Sequence, residues 1–226
     1  MKASILACEP TSLSPTDGKL IEVAVVNFDL EVGDMVDAWS FLVSGATEEE
    51  INKTRHIHGI SPVLVNQYGY GIEAVESGLR TATKDSKAFL AHNAEFDRQW
   101  LPFLPDLWCC TMDDIVWPKE SPSKSLVAIS LTHGLGVMSA HRAMDDCMTI
   151  ARLLRRVGEK HYLPDLIKHG MRPKATFKAL VSYEDRELAK KAGFRWEPDK
   201  KLWYRKMAIE DVGALGFKTV RMEEKN

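Results

Sequence analysis

The run Leu20-Ile21-Glu22-Val23-Ala24-Val25-Val26 decides how the chain begins. Its β-branched side chains suit a pleated, half-buried surface and are stiff in a helix, so the run predicts a strand. Upstream, Ser4-Ile5-Leu6-Ala7 is a short apolar strand candidate. Downstream, Asp37-Ala38-Trp39-Ser40-Phe41-Leu42-Val43 alternates polar and apolar, as a half-buried strand does. Gly18, Gly33 and Asp34 supply turns, so the three strands read as an antiparallel meander. Helices follow. Thr47-Glu48-Glu49-Glu50 joins a hydroxyl cap to three acids that suit a helix N-terminus, and Glu73 to Thr83 reads as a second helix. Lys87 to Ala91 predicts a strand leading into His92-Asn93, and Phe96 to Leu104 a helix stopped at Pro105. Trp108 to Met112 predicts another strand, Ser125 to Thr132 a helix ended by Gly134, and Ala143 to Val157 a long amphipathic helix. A meander followed by alternating strands and helices means an α/β domain.

The 226 residues are 45% hydrophobic and 27% charged, enough apolar material for a packed core, which excludes disorder and fibrous repeats. No apolar run reaches the roughly 18–20 residues needed to span a membrane. Glu9 interrupts the first apolar stretch, so no signal-peptide core is expected, and the sequence reads as cytoplasmic. The four cysteines, Cys8, Cys109, Cys110 and Cys147, form no C-x-x-C pair. They read as buried, reduced thiols rather than as a zinc site. Net charge is −2, but it is unevenly spread. From Lys168 onward there are 15 basic and 9 acidic residues, +6, which leaves 15 and 23, or −8, for residues 1–167. That asymmetry predicts two units, the second able to meet a polyanion.

Pro164, Gly170 and Pro173 punctuate residues 164–174, read here as a linker between a domain at 1–163 and a small α+β module at 175–226. In the module, Phe177 to Val181 predicts a strand, Ser182-x-x-Asp185 opens a helix to Lys191, and Gly193 stops it. Phe194-Arg195-Trp196 and Leu202-Trp203-Tyr204-Arg205 form a hairpin around a polar turn. A short helix from Ala208 to Leu215 and a strand from Lys218 to Met222 complete it. Trp196 and Trp203 read first as the core of a domain of this size, which needs large residues to be stable. The competing reading joins them and Tyr204 to Arg195, Lys200, Lys201 and Arg205 as a surface that stacks bases and meets phosphates.

Three acidic islands of the first unit carry the chemistry. They are Leu6-Ala7-Cys8-Glu9-Pro10-Thr11-Ser12-Leu13, Ala91-His92-Asn93-Ala94-Glu95-Phe96-Asp97 and His141-Arg142-Ala143-Met144-Asp145-Asp146. Five helical residues rotate by about 500°, so His141 and Asp146 would point about 140° apart on one helix. If they share a cleft, His141 lies in the loop before the helix that holds Asp146. Carboxylates gathered in a cleft repel unless a cation neutralises them, and Mg²⁺ or Mn²⁺ prefers oxygen ligands. Two such ions roughly 3.5–4 Å apart stabilise the attacking and leaving oxygens of phosphoryl transfer. A neutral histidine suits the removal of a proton from an attacking water. Singly, each island has a plainer reading: Glu9 as a loop charge, Asn93 and Asp97 as helix caps, His141 as a packed or surface histidine. Together, in this order along an α/β chain, they point to one site.

The islands resemble the motifs of the DEDD exonucleases of the His subtype, the superfamily of the polymerase III proofreading subunit, ribonuclease T and exonuclease X. The pattern there is D-x-E-x-T-G-L, then H-N-A-x-F-D, then H-x-A-x-x-D. Residues 91–97 and 141–147 match the second and third motifs, and Ile57-His58-Gly59-Ile60-Ser61 is similar to a segment between the first two. Trp108-Cys109-Cys110-Thr111-Met112 resembles the exonuclease X branch. The resemblance covers residues 3–157 and implies a ribonuclease-H-like exonuclease domain with a mixed five-stranded sheet flanked by helices. It also implies two Mg²⁺ or Mn²⁺ ions held by Glu9, Asp97 and Asp146, with His141 as general base. Thr11 and Leu13 would then lie against the terminal nucleotide, and His58, Asn93 and Phe96 along the groove. Leu13 is either a wedge at a duplex end or a strand-end core residue. The implied partner is nucleic acid with a free 3′ end, DNA favoured, cut by 3′–5′ exonuclease action. The sequence does not set an oligomeric state. Ala7 departs from the pattern: it stands where the family has its first Asp, and a methyl group cannot coordinate a cation. Survival of Glu9, Asp97, His141 and Asp146 favours an engineered Asp→Ala change over drift. The alternative is a natural relative that binds 3′ ends without cutting them.

Overall fold

The computed structural model describes residues 1–137 and 141–222. They form two compact units, Met1–Met171 and the residues from Arg172 onward. The first unit opens with β1 (Lys2–Pro10), β2 (Leu20–Asp29) and β3 (Asp34–Leu42), followed by helices α1 (Glu48–His58), α2 (Pro62–Tyr68) and α3 (Ile72–Thr83). Then come β4 (Phe89–Ala91), α4 (Ala94–Trp100), β5 (Trp108–Cys110), α5 (Leu126–Thr132), α6 (Ala143–Gly158) and α7 (Leu163–Gly170). The sheet order is β3-β2-β1-β4-β5. The first three strands are antiparallel, and β4 and β5 run parallel to β1, which makes the sheet mixed. This is the ribonuclease-H-like architecture, a mixed five-stranded sheet with helices, expected from the sequence.

Because the pleat alternates, β1 feeds two cores. Ala3 and Ile5 join Ala24, Val26, Cys147, Ile150 and Leu154 beneath α6. Leu6 and Cys8 join Val23, Val25, Leu79, Phe89 and Trp100 on the other side. All four cysteines are free and buried. The capping box at Thr47 forms: the Glu50 N–H donates to Thr47 Oγ1 at 3.2 Å and the Thr47 N–H to Glu50 Oε2 at 2.7 Å. Among the described residues, no helix is long and apolar enough to cross a membrane.

Several boundaries differ from expectation. β3 is an edge strand exposed along most of its length, so its alternation does not mark a buried face. α4 ends at Trp100, not Leu104, because Pro102 keeps Leu101 out of the helical region (φ −122°, ψ 50°). The strand after it stops at Cys110 rather than Met112. The segment 164–174 is not a linker: most of it is α7, and β6 already begins at Lys174. Pro164 occupies the first turn, where a missing N–H costs nothing. A Cβ on Gly170 would stand 2.6 Å from Cys109 Sγ, so this glycine allows a close approach and does not loosen the chain. The first unit therefore runs eight residues past position 163.

The second unit contains β6 (Lys174–Leu180), α8 (Arg186–Lys191), β7 (Arg195–Glu197), β8 (Leu202–Ala208), a 3₁₀ turn (Ile209–Ala214) and β9 (Lys218–Arg221). Its antiparallel sheet has the order β7-β8-β6-β9. The Asp185 N–H donates to Ser182 Oγ at 3.2 Å, but the return bond runs from the Ser182 hydroxyl to Asp185 Oδ2 at 2.9 Å and not from its backbone N–H, and the helix begins only at Arg186. The last four positions of the expected module, 223–226, lie outside the described residues. Its core is Ala175, Phe177, Ala179, Ala189, Phe194 and Met207, with Trp203 packed against it. Trp196 is not part of that core and is 48% exposed.

Candidate active site

The C-terminal end of β1 carries Ala7 and Glu9 on the face that α6 covers, while Cys8 points to the other side. Ala7 is paired with Ala24 of β2, and Glu9 with Glu22. Beyond the strand, Leu13 projects almost fully into solvent, and its carbonyl accepts a 3.1 Å hydrogen bond from Gln99 Nε2 of α4. This exposure rules out the reading of Leu13 as a strand-end core residue.

The second island turns from β4 into α4 through Asn93, whose φ of 81° lies in the left-handed region that Asn tolerates better than most residues. Asn93 makes no side-chain cap. Asp97, buried in α4, accepts a 3.0 Å hydrogen bond from the Cys8 N–H and so ties the helix to the end of β1. His92 is fixed from both ring nitrogens, with Nδ1 3.0 Å from Thr111 Oγ1 and Nε2 2.9 Å from the Lys124 carbonyl. His58 is held likewise. The Ile60 N–H donates to its Nδ1 at 2.9 Å, which leaves Nε2 as the donor to Thr54 Oγ1 at 3.0 Å.

In the third island, His141 precedes α6 with φ 63°, and Asp146 lies in the first turn of the helix. The loop-then-helix arrangement required by the rotation argument is present. Arg142 between them anchors the segment. Its Nε and Nη2 grip the buried Glu22 carboxylate at 3.0 and 2.6 Å, and the Ala143 N–H adds a third bond at 3.0 Å. Sequence reasoning missed this clamp. Its only signal is a carboxylate in the middle of the apolar run 20–26.

One cavity of about 660 Å³ is lined by Ala7, Glu9, Leu13, His58, Asn93, Phe96, Asp97, His141 and Asp146. Of the residues expected at the site, only Thr11 is not among its walls. Thr11 is buried, and its hydroxyl accepts from the Lys19 N–H at 2.9 Å, closing the β1–β2 loop. The electrostatics of the cavity are lopsided. Burial, aided by the charges of Asp146 and Glu22, pushes the Glu9 carboxyl up to about 8. Burial likewise pushes Asp146 up to about 6 despite the opposing charge of His141, and raises Asp97 well above the usual carboxylate range. Three desolvated, mutually repelling oxygen donors fit a hard divalent cation. They do not yet form a cage: among the described residues, no three His, Cys, Asp or Glu side chains are grouped as a metal site. Ala7, on the same wall, supplies no donor.

A family model described as a domain of unknown function (DUF8626) matches residues 175–222. Exodeoxyribonuclease 10 of Escherichia coli K12 is 40% identical over 76 residues, which cover 30% of this chain and 34% of that protein. The chain thus spans about a third of the length of the curated relative it matches. Among solved structures, exonuclease X in complex with 5′ overhanging duplex DNA aligns with a TM-score of 0.53 and 27% identity, covering 73% of this chain and 99% of that one. The nuclease domain of 3′hExo, a DEDDh family member bound to rAMP, aligns with a TM-score of 0.57 and 16% identity, covering 71% and 93%. The resemblance to the DEDDh exonucleases stands on sequence and on fold.

Proposed function

We propose that the first unit is a 3′–5′ exonuclease domain, acting on DNA, that would release 5′-mononucleotides by phosphodiester hydrolysis. One observation carries the reading: Glu9 of β1, Asp97 of α4, His141 before α6 and Asp146 within it converge on a single cavity. Glu9, Asp97 and Asp146 would hold two divalent cations, Mg²⁺ or Mn²⁺, which when bound offset the charge developing at phosphorus and on the leaving oxygen. His141 would accept a proton from the attacking water as its oxygen bonds to phosphorus and the P–O3′ bond breaks, the departing O3′ taking a proton from solvent to leave a 3′-hydroxyl. Phe96 offers a ring to the terminal base, and Leu13 stands where a strand end would enter. Asp97 acts in two ways, because its bond to the Cys8 N–H also sets the distance between α4 and β1.

Ala7 makes the chain as written inactive or nearly so. Restoring a carboxylate on that wall with Ala7→Asp is the decisive experiment. Metal-dependent release of mononucleotides from the 3′ end of a labelled oligonucleotide is expected in the variant and almost none in the parent. Ala7 also favours a second reading, a protein that holds 3′ ends without cutting them. Absence of cleavage by Ala7→Asp at every Mg²⁺ and Mn²⁺ concentration, with end binding retained, would establish that reading instead.

A further inference from the structure

We infer that the second unit carries its own binding groove for single-stranded nucleic acid, built on Trp196, Tyr183 and Arg186. The groove opens where β6 leaves its pairing with β8 at Lys178↔Tyr204 and encloses about 880 Å³. One wall comes from the chain between β6 and α8, the other from the β7–β8 hairpin.

The groove is aromatic on both walls. Trp196 and Trp203 face each other across β7 and β8 with ring centroids 5.6 Å apart. Trp203 rests on the core of the unit, and Trp196 extends the aromatic surface beyond it, 48% exposed. On the opposite wall Tyr183 is 76% exposed, and the Arg186 guanidinium lies 4.0 Å from the centre of its ring. Arg186 also donates to the Tyr183 carbonyl at 2.7 Å, so the cation is held over one face of the ring. Trp196 leans on Trp203, but about half of it, and most of Tyr183, stay in water. An unpaired base of any sequence can stack on them.

Charge selects the occupant. Lys178, Arg186 and Lys201 line the groove and, among the described residues, no carboxylate does, although Glu184, Asp185, Glu197 and Asp199 lie nearby in sequence. Lys201 stands in the turn after Pro198 with φ 49°, a left-handed conformation in which a lysine is uncommon. Cations beside exposed rings match a strand whose phosphates alternate with exposed bases. Duplex DNA, with its bases already stacked on each other, offers only the phosphates. The inference does not depend on the exonuclease reading, because a strand without ends can occupy this groove and has no 3′ terminus to place beside His141.

The test uses the full chain in EDTA with a fluorescent circular single strand of poly-dT, followed by anisotropy. The parent is expected to bind it, and a blunt duplex of equal length should compete poorly. Trp196→Ala should weaken binding about fivefold or more, and Trp196→Phe should recover most of the loss, since a ring is what stacks. Lys201→Gln should flatten the dependence of log affinity on log salt by about 0.7. Because Trp196 lies outside the core, its variants should still unfold cooperatively, with a melting temperature lowered only by the lost contact with Trp203. Failure of the parent to bind the circle, full affinity in a folded Trp196→Ala, or equal competition by duplex would each overturn the groove. The last result would reduce it to a patch that reads charge alone.

Discussion

The two units handle charge in opposite ways. The cavity of the first brings Glu9, Asp97 and Asp146 together with His141 as the opposing charge beside Asp146, whereas the groove of the second sets Lys178, Arg186 and Lys201 beside aromatic rings with no carboxylate among its described walls. On the readings proposed above, a cation would complete the first and a polyanion the second. The first unit contains its own control. Glu22 sits directly across from Glu9 and is as deeply buried, yet Arg142 and the Ala143 N–H satisfy it. Protein groups finish the charge that holds the fold and leave unfinished the charge that faces the cavity.

The largest expected effect breaks the cavity from its catalytic side. In the Ala7→Asp background, His141→Ala should lower the cleavage rate by about 10²-fold or more while DNA affinity changes little, read by single-turnover kinetics beside anisotropy. An undiminished rate would remove His141 from the role of base.

The control carboxylate comes next. Arg142→Ala leaves Glu22 buried and unpaired, a change that costs roughly 3–5 kcal/mol for a fully buried pair. Arg142 is partly exposed, so about 2–3 kcal/mol is expected from urea unfolding. Glu9→Gln should act with the opposite sign, stabilising the metal-free chain by roughly 0.5–2 kcal/mol at pH 8. If both changes destabilised alike, the contrast between Glu9 and Glu22 would be void.

A pH series sharpens the same contrast. Folding raises the Glu9 carboxyl from 4.5 to about 8 and Asp146 from 3.8 to about 6, so in that range the native state binds more protons than the unfolded chain. Stability from these groups is therefore fully present at low pH and lost as pH rises, for Asp146 between about 4 and 6 and for Glu9 up to about 8. The melting temperature of the EDTA-treated chain should fall across that window, and Mg²⁺ or Mn²⁺ should flatten the decline. A melting temperature that rose with pH would contradict the site's electrostatics.

The smallest effect is read from salt. A chain ended after Met171 should still fold, because the first unit has its own cores, but it should bind oligonucleotides with a shallower salt slope. Each lost phosphate contact accounts for about 0.7–0.9 of that slope. Equal slopes would assign the basic groove to something other than nucleic acid.

Much of this was legible in the sequence, for reasons of local physics. The β-branched run 20–26 had to be a strand, the apolar stripe of 143–157 a helix, and Thr47-x-x-Glu50 a cap, since each depends on residues within a few positions of one another. The same locality placed His141 ahead of the helix that carries Asp146. Reach across the chain was not legible. Glu22 and Arg142 are 120 residues apart, and only the packing of α6 on β2 makes them partners. Gly170 looked like a break because a missing side chain reads as freedom until a neighbour such as Cys109 is seen to fill the space. Trp196 and Trp203 were indistinguishable as residue types. The helix and strands of a small module can cover only so much area, so one tryptophan was packed against the core and the other was left exposed in the groove. Identity and spacing determine the elements and the chemistry they carry. Which groups are buried, paired or left facing water is decided when distant surfaces close on each other and desolvation sorts them.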